Sequence, residues 1–253
     1  MSRLACHALL AALAATLLAG CASDGPRARG NRLDLGGPRD RDELVVANPS
    51  AVIAEELAFA RMAREKGTWT AFREYSTEDA LWPAPALSNV RRDLAGTPDP
   101  AEAIVWGPDA VWVSCDGSFA LSTGPATYPT GRRSRFATIW QRQRDGDYRW
   151  VLDQGFDLEA GHAQPEMIAA QVADCPPGFD RWSRRRPPVR RGEAWGSGRS
   201  NDGTLEWSTV VAADCGRTFT VRINRGGSLT EVFRREAPPR PAPEGQPAPT
   251  CPA

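Results

Sequence analysis

At Ala110 the spacing of apolar residues changes period, and that change limits the architectures open to this chain. Ahead of it the apolar residues recur at helical intervals: Ile53, Leu57, Ala60 and Met62, with Phe59 alongside, mark one helix face. Ser50 stands where a cap is needed, Gly67 where the helix must stop, and Thr68 can open a second short helix through Trp69, Phe72 and Tyr75. A third start is read at Asn89. Beyond Ala110 the pattern alternates. Val111 to Cys115 leads into the turn pair Asp116-Gly117, then Phe119 to Gly124, then Phe136 to Arg142, the turn pair Asp145-Gly146, and Tyr148 to Leu152. Helices followed by an antiparallel meander predict an α+β domain over 48–160.

Several stretches in that order resemble a known family. Glu55-Glu56-Leu57-Ala58-Phe59-Ala60, Lys66-Gly67-Thr68, Ala71-Phe72 and Glu78-Asp79-Ala80 are followed by Ile139-Trp140-Gln141-Arg142 and Trp150-Val151-Leu152-Asp153-Gln154-Gly155. Together they resemble the DUF4440 or SnoaL-like branch of the NTF2-like superfamily. That resemblance implies a cone, in which a curved sheet wraps the long helix and leaves an open end holding an apolar pocket. Members are isomerases, cyclases or dehydratases, or bind ligands without chemistry, so the fold alone does not name a function. The enzymes place an Asp in the cone, which points here to Asp79 and Asp153. Phe59, Met62, Trp82, Trp112, Tyr128, Trp140 and Trp150 are the corresponding pocket walls. A carboxyl among indoles is pushed toward its neutral form and can serve as a general base. The plainer reading has Asp79 capping a turn, Asp153 accepting hydrogen bonds at a strand end, and the tryptophans forming core.

After the meander the chain loosens. Residues 161–194 read as a linker with a short helix over Pro165 to Val172 and an arginine cluster from Arg181 to Arg191. Such a cluster suits phosphate oxygens, and equally suits a solvated linker. A small β-rich module over 195–236 carries strands at Leu205 to Val211, Thr218 to Ile223 and Thr230 to Phe233, with a hairpin turn at Asn224-Arg225-Gly226-Gly227. So small a module is marginal alone and is expected to pack on the first domain or be held by a disulfide. Asp116-Gly117-Ser118 and Asp202-Gly203-Thr204 open similar strands, as ordinary turn chemistry. A proline-rich tail fills 237–253.

The N-terminus carries an address. Residues 1–20 read as a signal segment too short to span a bilayer, and Leu17-Leu18-Ala19-Gly20-Cys21 resembles a bacterial lipobox. The expectation is a diacylglycerol on the Cys21 thiol, cleavage before it, and a flexible tether over 21–47. Ala22 after the lipidated cysteine points to the periplasmic face of the outer membrane. Cys115, Cys175, Cys215 and Cys251 then allow two disulfides in three connectivities, with Cys175 to Cys215 or to Cys251 the favoured pairing. Removing the signal leaves His162 as the remaining histidine, read as an exposed loop residue, which argues against multi-histidine metal sites and nucleophilic triads. No cofactor or metal is expected, and the balanced charge of 31 basic and 31 acidic residues argues against a nucleic-acid partner. Three functions stand: a lipid-anchored protein binding a small apolar ligand or an envelope partner; an acid/base enzyme using Asp79 or Asp153; or a structural envelope component. The resemblance to the NTF2-like superfamily also implies a homodimer through the outer sheet face as one option.

Overall fold

The structure is a computed structural model, and it describes residues 47–83, 85–177, 186–239 and 250–252. All of these belong to the second of two compact units, Arg41–Ala253. Cys21 and its lipobox, nearly all of the proposed tether, Arg181, Arg184, Arg185 and most of the tail lie outside the described residues.

Helix α1 (Pro49–Lys66) is capped by Asn48, not Ser50: the Asn48 side chain accepts from Ala51 N, and Pro49 takes the first turn, where its missing N–H costs nothing. Its buried stripe is Val52, Glu56, Phe59, Ala60 and Ala63, while Leu57 is 47% exposed. The inward face is thus rotated from the one the apolar residues alone suggest, and it contains an acid. Gly67 ends the helix at φ 113°, with its N–H bonded to Ala63 O. Helix α2 (Thr68–Tyr75) is capped from a distance: Asp99 accepts from Trp69 N, Thr70 N and Thr70 Oγ1. Thr68 Oγ1 instead accepts from Ile104 N at 3.1 Å, so it ties a loop rather than capping. Helix α3 (Val90–Asp93) starts at Asn89 as expected, whose side chain accepts from Arg92 N.

The first sheet contains β1 (Ser76–Pro83), β2 (Leu87–Asn89), β3 (Val105–Trp106), β4 (Ala110–Val113), β5 (Phe119–Thr127), β6 (Arg133–Arg142), β7 (Tyr148–Asp157) and β8 (Ala169–Val172). Its order is β2-β1-β7-β6-β5-β4-β8, with β3 beside β5. The β4 to β7 meander is antiparallel as expected, but β1 joins β7 and β8 joins β4 in parallel. The expected helix at Pro165 to Val172 is therefore an edge strand. Backbone partners on β4, from Ala110 to Val113, outweigh a short helical pattern with little apolar face to bury.

The second sheet, β9 (Val189–Arg191), β10 (Trp195–Arg199), β11 (Leu205–Val211), β12 (Arg217–Arg225) and β13 (Ser228–Ala237), is antiparallel throughout, in sequence order. The fold is α+β, strand-rich, and built in three layers: helices, first sheet, second sheet. One core lies between α1, α2 and the first sheet (Val52, Phe59, Phe72, Val113, Trp140, Trp150). The other lies between the sheets (Phe119, Leu121, Ile139, Trp207, Phe219, Phe233). The central strand β6 serves both, placing Ile139 in one core and Trp140 in the other, so it is buried on both faces.

The two Asp-Gly turns lock together. Asp116 Oδ1 accepts from Ser114 Oγ, Ser118 N and Ser118 Oγ; Asp202 Oδ1 accepts from Ser200 Oγ, Thr204 N and Thr204 Oγ1. Each aspartate also accepts from the other's backbone, Asp116 N to Asp202 Oδ2 at 2.7 Å and Asp202 N to Asp116 Oδ2 at 3.1 Å. Cys115 N donates to Thr204 Oγ1, and Asn201 N to Ser118 Oγ, completing a reciprocal joint between the sheets.

The disulfides are Cys115–Cys175 and Cys215–Cys251, which corrects the favoured pairing of Cys175 with Cys215 or Cys251. The reason is β8: Val113 pairs with Val172 in parallel, so Cys115 and Cys175 leave the sheet side by side. No helix among the described residues is long and apolar enough to cross a membrane.

Candidate functional site

Between the helices and the first sheet, aromatic rings interlock around Phe59, with Phe72, Tyr75, Trp106, Trp140 and Trp150 at centroid distances of 4.8 to 6.4 Å. They leave an open cleft of ≈ 40 Å³. Its walls are Phe59, Phe72, Ile104, Trp106 and Phe136, and its polar end is formed by Asp153, Ser134 and Tyr128. Strands β6 and β7 present Ser134, Phe136, Thr138 and Asp153 to this side by simple alternation.

Asp153 is half-buried at the cleft, and desolvation pushes its carboxyl up to about 7; a hydrogen bond from Thr138 Oγ1 at 2.6 Å works against that rise and the charge of Glu56 adds to it. Tyr128 Oη and Ser134 Oγ both lie over the bare Cα of Gly155, 3.6 and 3.9 Å from where a side chain would begin there. Ser134 Oγ and Trp150 Nε1 are buried without a hydrogen-bond partner among the described residues. Buried polar groups are ordinarily paired, so Ser134 Oγ, which lines the cleft, is an opening for a water or a ligand.

Deeper in, Glu56 on α1 is fully buried. Burial raises its pKa, against hydrogen bonds from Ser122 Oγ, Trp106 Nε1 at 2.7 Å and Trp140 Nε1 at 3.1 Å. Glu56 was missed from sequence, although it lies on the spacing of Val52, Phe59, Ala60 and Ala63. An acid repeating with a buried apolar stripe was the available signal.

The sequence candidates divide. Phe59, Tyr128 and Asp153 line the cleft, and Trp140 and Trp150 back it from the core. Asp79 does not face inward: on the edge pair β1–β2 its half-exposed carboxylate meets Arg186 at 3.4 Å. Met62 packs against the core without lining the cleft. Trp82 turns its Nε1 to Asp93 at 2.8 Å. Trp112 faces the other way, against Phe233 of the second sheet. Strand alternation separates it from Val111 and Val113, which do face the helices. His162 is not an exposed loop residue. Its side chain is 11% exposed, with Nδ1 3.1 Å from Arg135 Nη2. Arginine only donates, so Nδ1 accepts and the ring proton belongs on Nε2, 3.5 Å from Asp109 Oδ2. Arg135 also holds Asp109 at 3.0 Å and Glu159 at 2.7 Å. With its charges paired inside the protein, this cluster has a structural role.

Comparisons with known proteins add little. No family model and no curated protein matches the sequence. Among solved structures, a candidate ketosteroid isomerase from Parabacteroides distasonis aligns at 15% identity and a TM-score of 0.35, covering 46% of this chain and 96% of that one.

Proposed function

We propose that this chain is a binding protein of the bacterial cell envelope, lipid-anchored through Cys21, with an NTF2-like cone whose cleft receives the polar end of a small, mostly apolar molecule. The observation that carries this reading is the meeting of Asp153, Tyr128 and the unpartnered Ser134 hydroxyl at one end of an aromatic cleft. A few polar groups at fixed points in apolar walls are what orients a small ligand. At ≈ 40 Å³ the cleft admits a carbonyl or hydroxyl and the edge of one ring, not a fused ring system, unless α1 and the sheet move apart.

Phenol and cyclohexanone are suitable probes. Either should quench or shift tryptophan fluorescence in the full-length protein, and Ser134→Val, Asp153→Asn and Gly155→Val should each weaken the response at least tenfold. No saturable response, or one unchanged in all three variants, would overturn the assignment. Native mass spectrometry of protein taken from its own membrane would report the acyl mass on Cys21 and any retained ligand.

A second reading is favoured by one observation, the Asp153 carboxyl poised near 7. Such a group can take and return a proton at neutral pH, which fits an isomerase or dehydratase. If Asp153→Asn restores every phenotype of a deletion strain, that reading fails while the binding reading is judged by the probes.

A further inference from the structure

A broad concavity lies on the outer face of the second sheet, away from the cleft: a trough of ≈ 660 Å³. Register explains its lining. Arg190, Ser197, Ser208 and Thr220 are successive partners across β9, β10, β11 and β12, so they form one row on the same face. Arg199, Glu206 and Arg222 form the next row, two residues along each strand. At about 4.8 Å per strand and 3.3 Å per residue the two rows carry Arg190 and Arg222 to opposite banks, roughly 16 Å apart, with hydroxyls between them.

The charges are unbalanced. Arg199 is held by Glu206 at 3.0 Å and spans back to Gly203 O. Arg190 and Arg222 have no carboxylate within 4.0 Å among the described residues; Glu231 lies across from Arg222 in register but does not reach it. Two uncommitted guanidiniums suit phosphate oxygens, each able to donate in parallel pairs. Ser197, Ser208 and Thr220 add hydroxyls that both donate and accept, which matches a polyol and gives nothing to an apolar surface. Among the described members of the arginine cluster noted in the sequence, Arg190 is turned into this concavity, whereas Arg186 and Arg191 are spent on Asp79.

We propose that this trough binds a phosphorylated sugar, as borne by an envelope glycan. The site is independent of the cleft around Asp153. Trehalose 6-phosphate is a usable probe, being of a size the trough holds. Isothermal titration of the full-length protein should give saturable binding that trehalose and inorganic phosphate each fail to match by at least tenfold. Arg190→Gln and Arg222→Gln should each weaken it at least tenfold, and Arg92→Gln, on helix α3 and outside the trough, should not. Both trough arginines are exposed, so unchanged thermal melts of these variants keep the comparison valid. Absence of binding, or equal binding in Arg190→Gln and Arg222→Gln, overturns the proposal. Equal affinity for inorganic phosphate overturns the sugar assignment, and stronger arginine-dependent binding to phosphatidylglycerol vesicles assigns the face to a membrane surface instead.

Discussion

A carboxyl group largely withdrawn from water gains less by ionising, and Asp153 makes that visible as a pH dependence. With its folded pKa raised from 3.8 to about 7, the native state keeps a proton that the unfolded state has already released. Stability from this group is therefore full below about pH 4 and falls as pH rises toward 7, by on the order of 4 kcal/mol. Buried Glu56, raised in the same direction, adds to the slope. Urea melts between pH 4 and 8 should show this decline, and Asp153→Asn should flatten it and be the more stable protein at pH 8. A decline of equal size in the variant would refute the assignment. Arg135 is the opposite case, a buried cation whose value lies in its partners. Arg135→Ala leaves Asp109 buried against Glu159 and His162 without a counter-charge, and should cost about 3–5 kcal/mol in the same measurement.

Among the elements, the reciprocal turns have the largest effect for their size. Ser114-Cys115-Asp116-Gly117-Ser118 and Ser200-Asn201-Asp202-Gly203-Thr204 make matching internal bonds, and each then supplies the acceptor the other lacks. Asp116→Ala or Asp202→Ala should each destabilise by roughly 2–4 kcal/mol, since several buried donors lose their acceptor at once. A double-mutant cycle should show coupling of about 0.5–3 kcal/mol; strict additivity would mean the turns act separately. The turn chemistry was legible residue by residue, but its pairing was not, because local sequence does not say which turn meets which. The same limit explains β8 and Cys115–Cys175. In β4 to β7 and β11 to β13, by contrast, alternation and Gly turns sufficed, since neighbours in sequence are neighbours in the sheet. Helix α1 was legible as a helix but not in its rotation, because its inward stripe includes Glu56 and its outward face includes Leu57. Of the site, Asp153 and Tyr128 were accessible to sequence; Ser134 was not, since a serine carries no periodic signal.

At the scale of the molecule, the second sheet covers the outer face of the first, the one turned away from the helices. Phe119, Leu121, Ile139 and Val151 lie beneath Trp207, Phe219, Val221 and Phe233. A chain ending at Arg186 should therefore expose that layer and self-associate or precipitate, while the full chain stays monodisperse in light scattering at the same concentration. A soluble, monomeric truncation would show that the layers fold independently. The disulfides close loops of 60 and 36 residues, each contributing about 4 kcal/mol in the chain-entropy account. Ala47, the first described residue, bonds through its N–H to Cys115 O and lies against Gly117. A pull on the chain ahead of Ala47 is therefore delivered to the place where a disulfide and the reciprocal aspartate turns converge. Mechanical load entering at Ala47 thus meets a point braced by one disulfide and two interlocked turns, so this end of the first sheet should resist being peeled away.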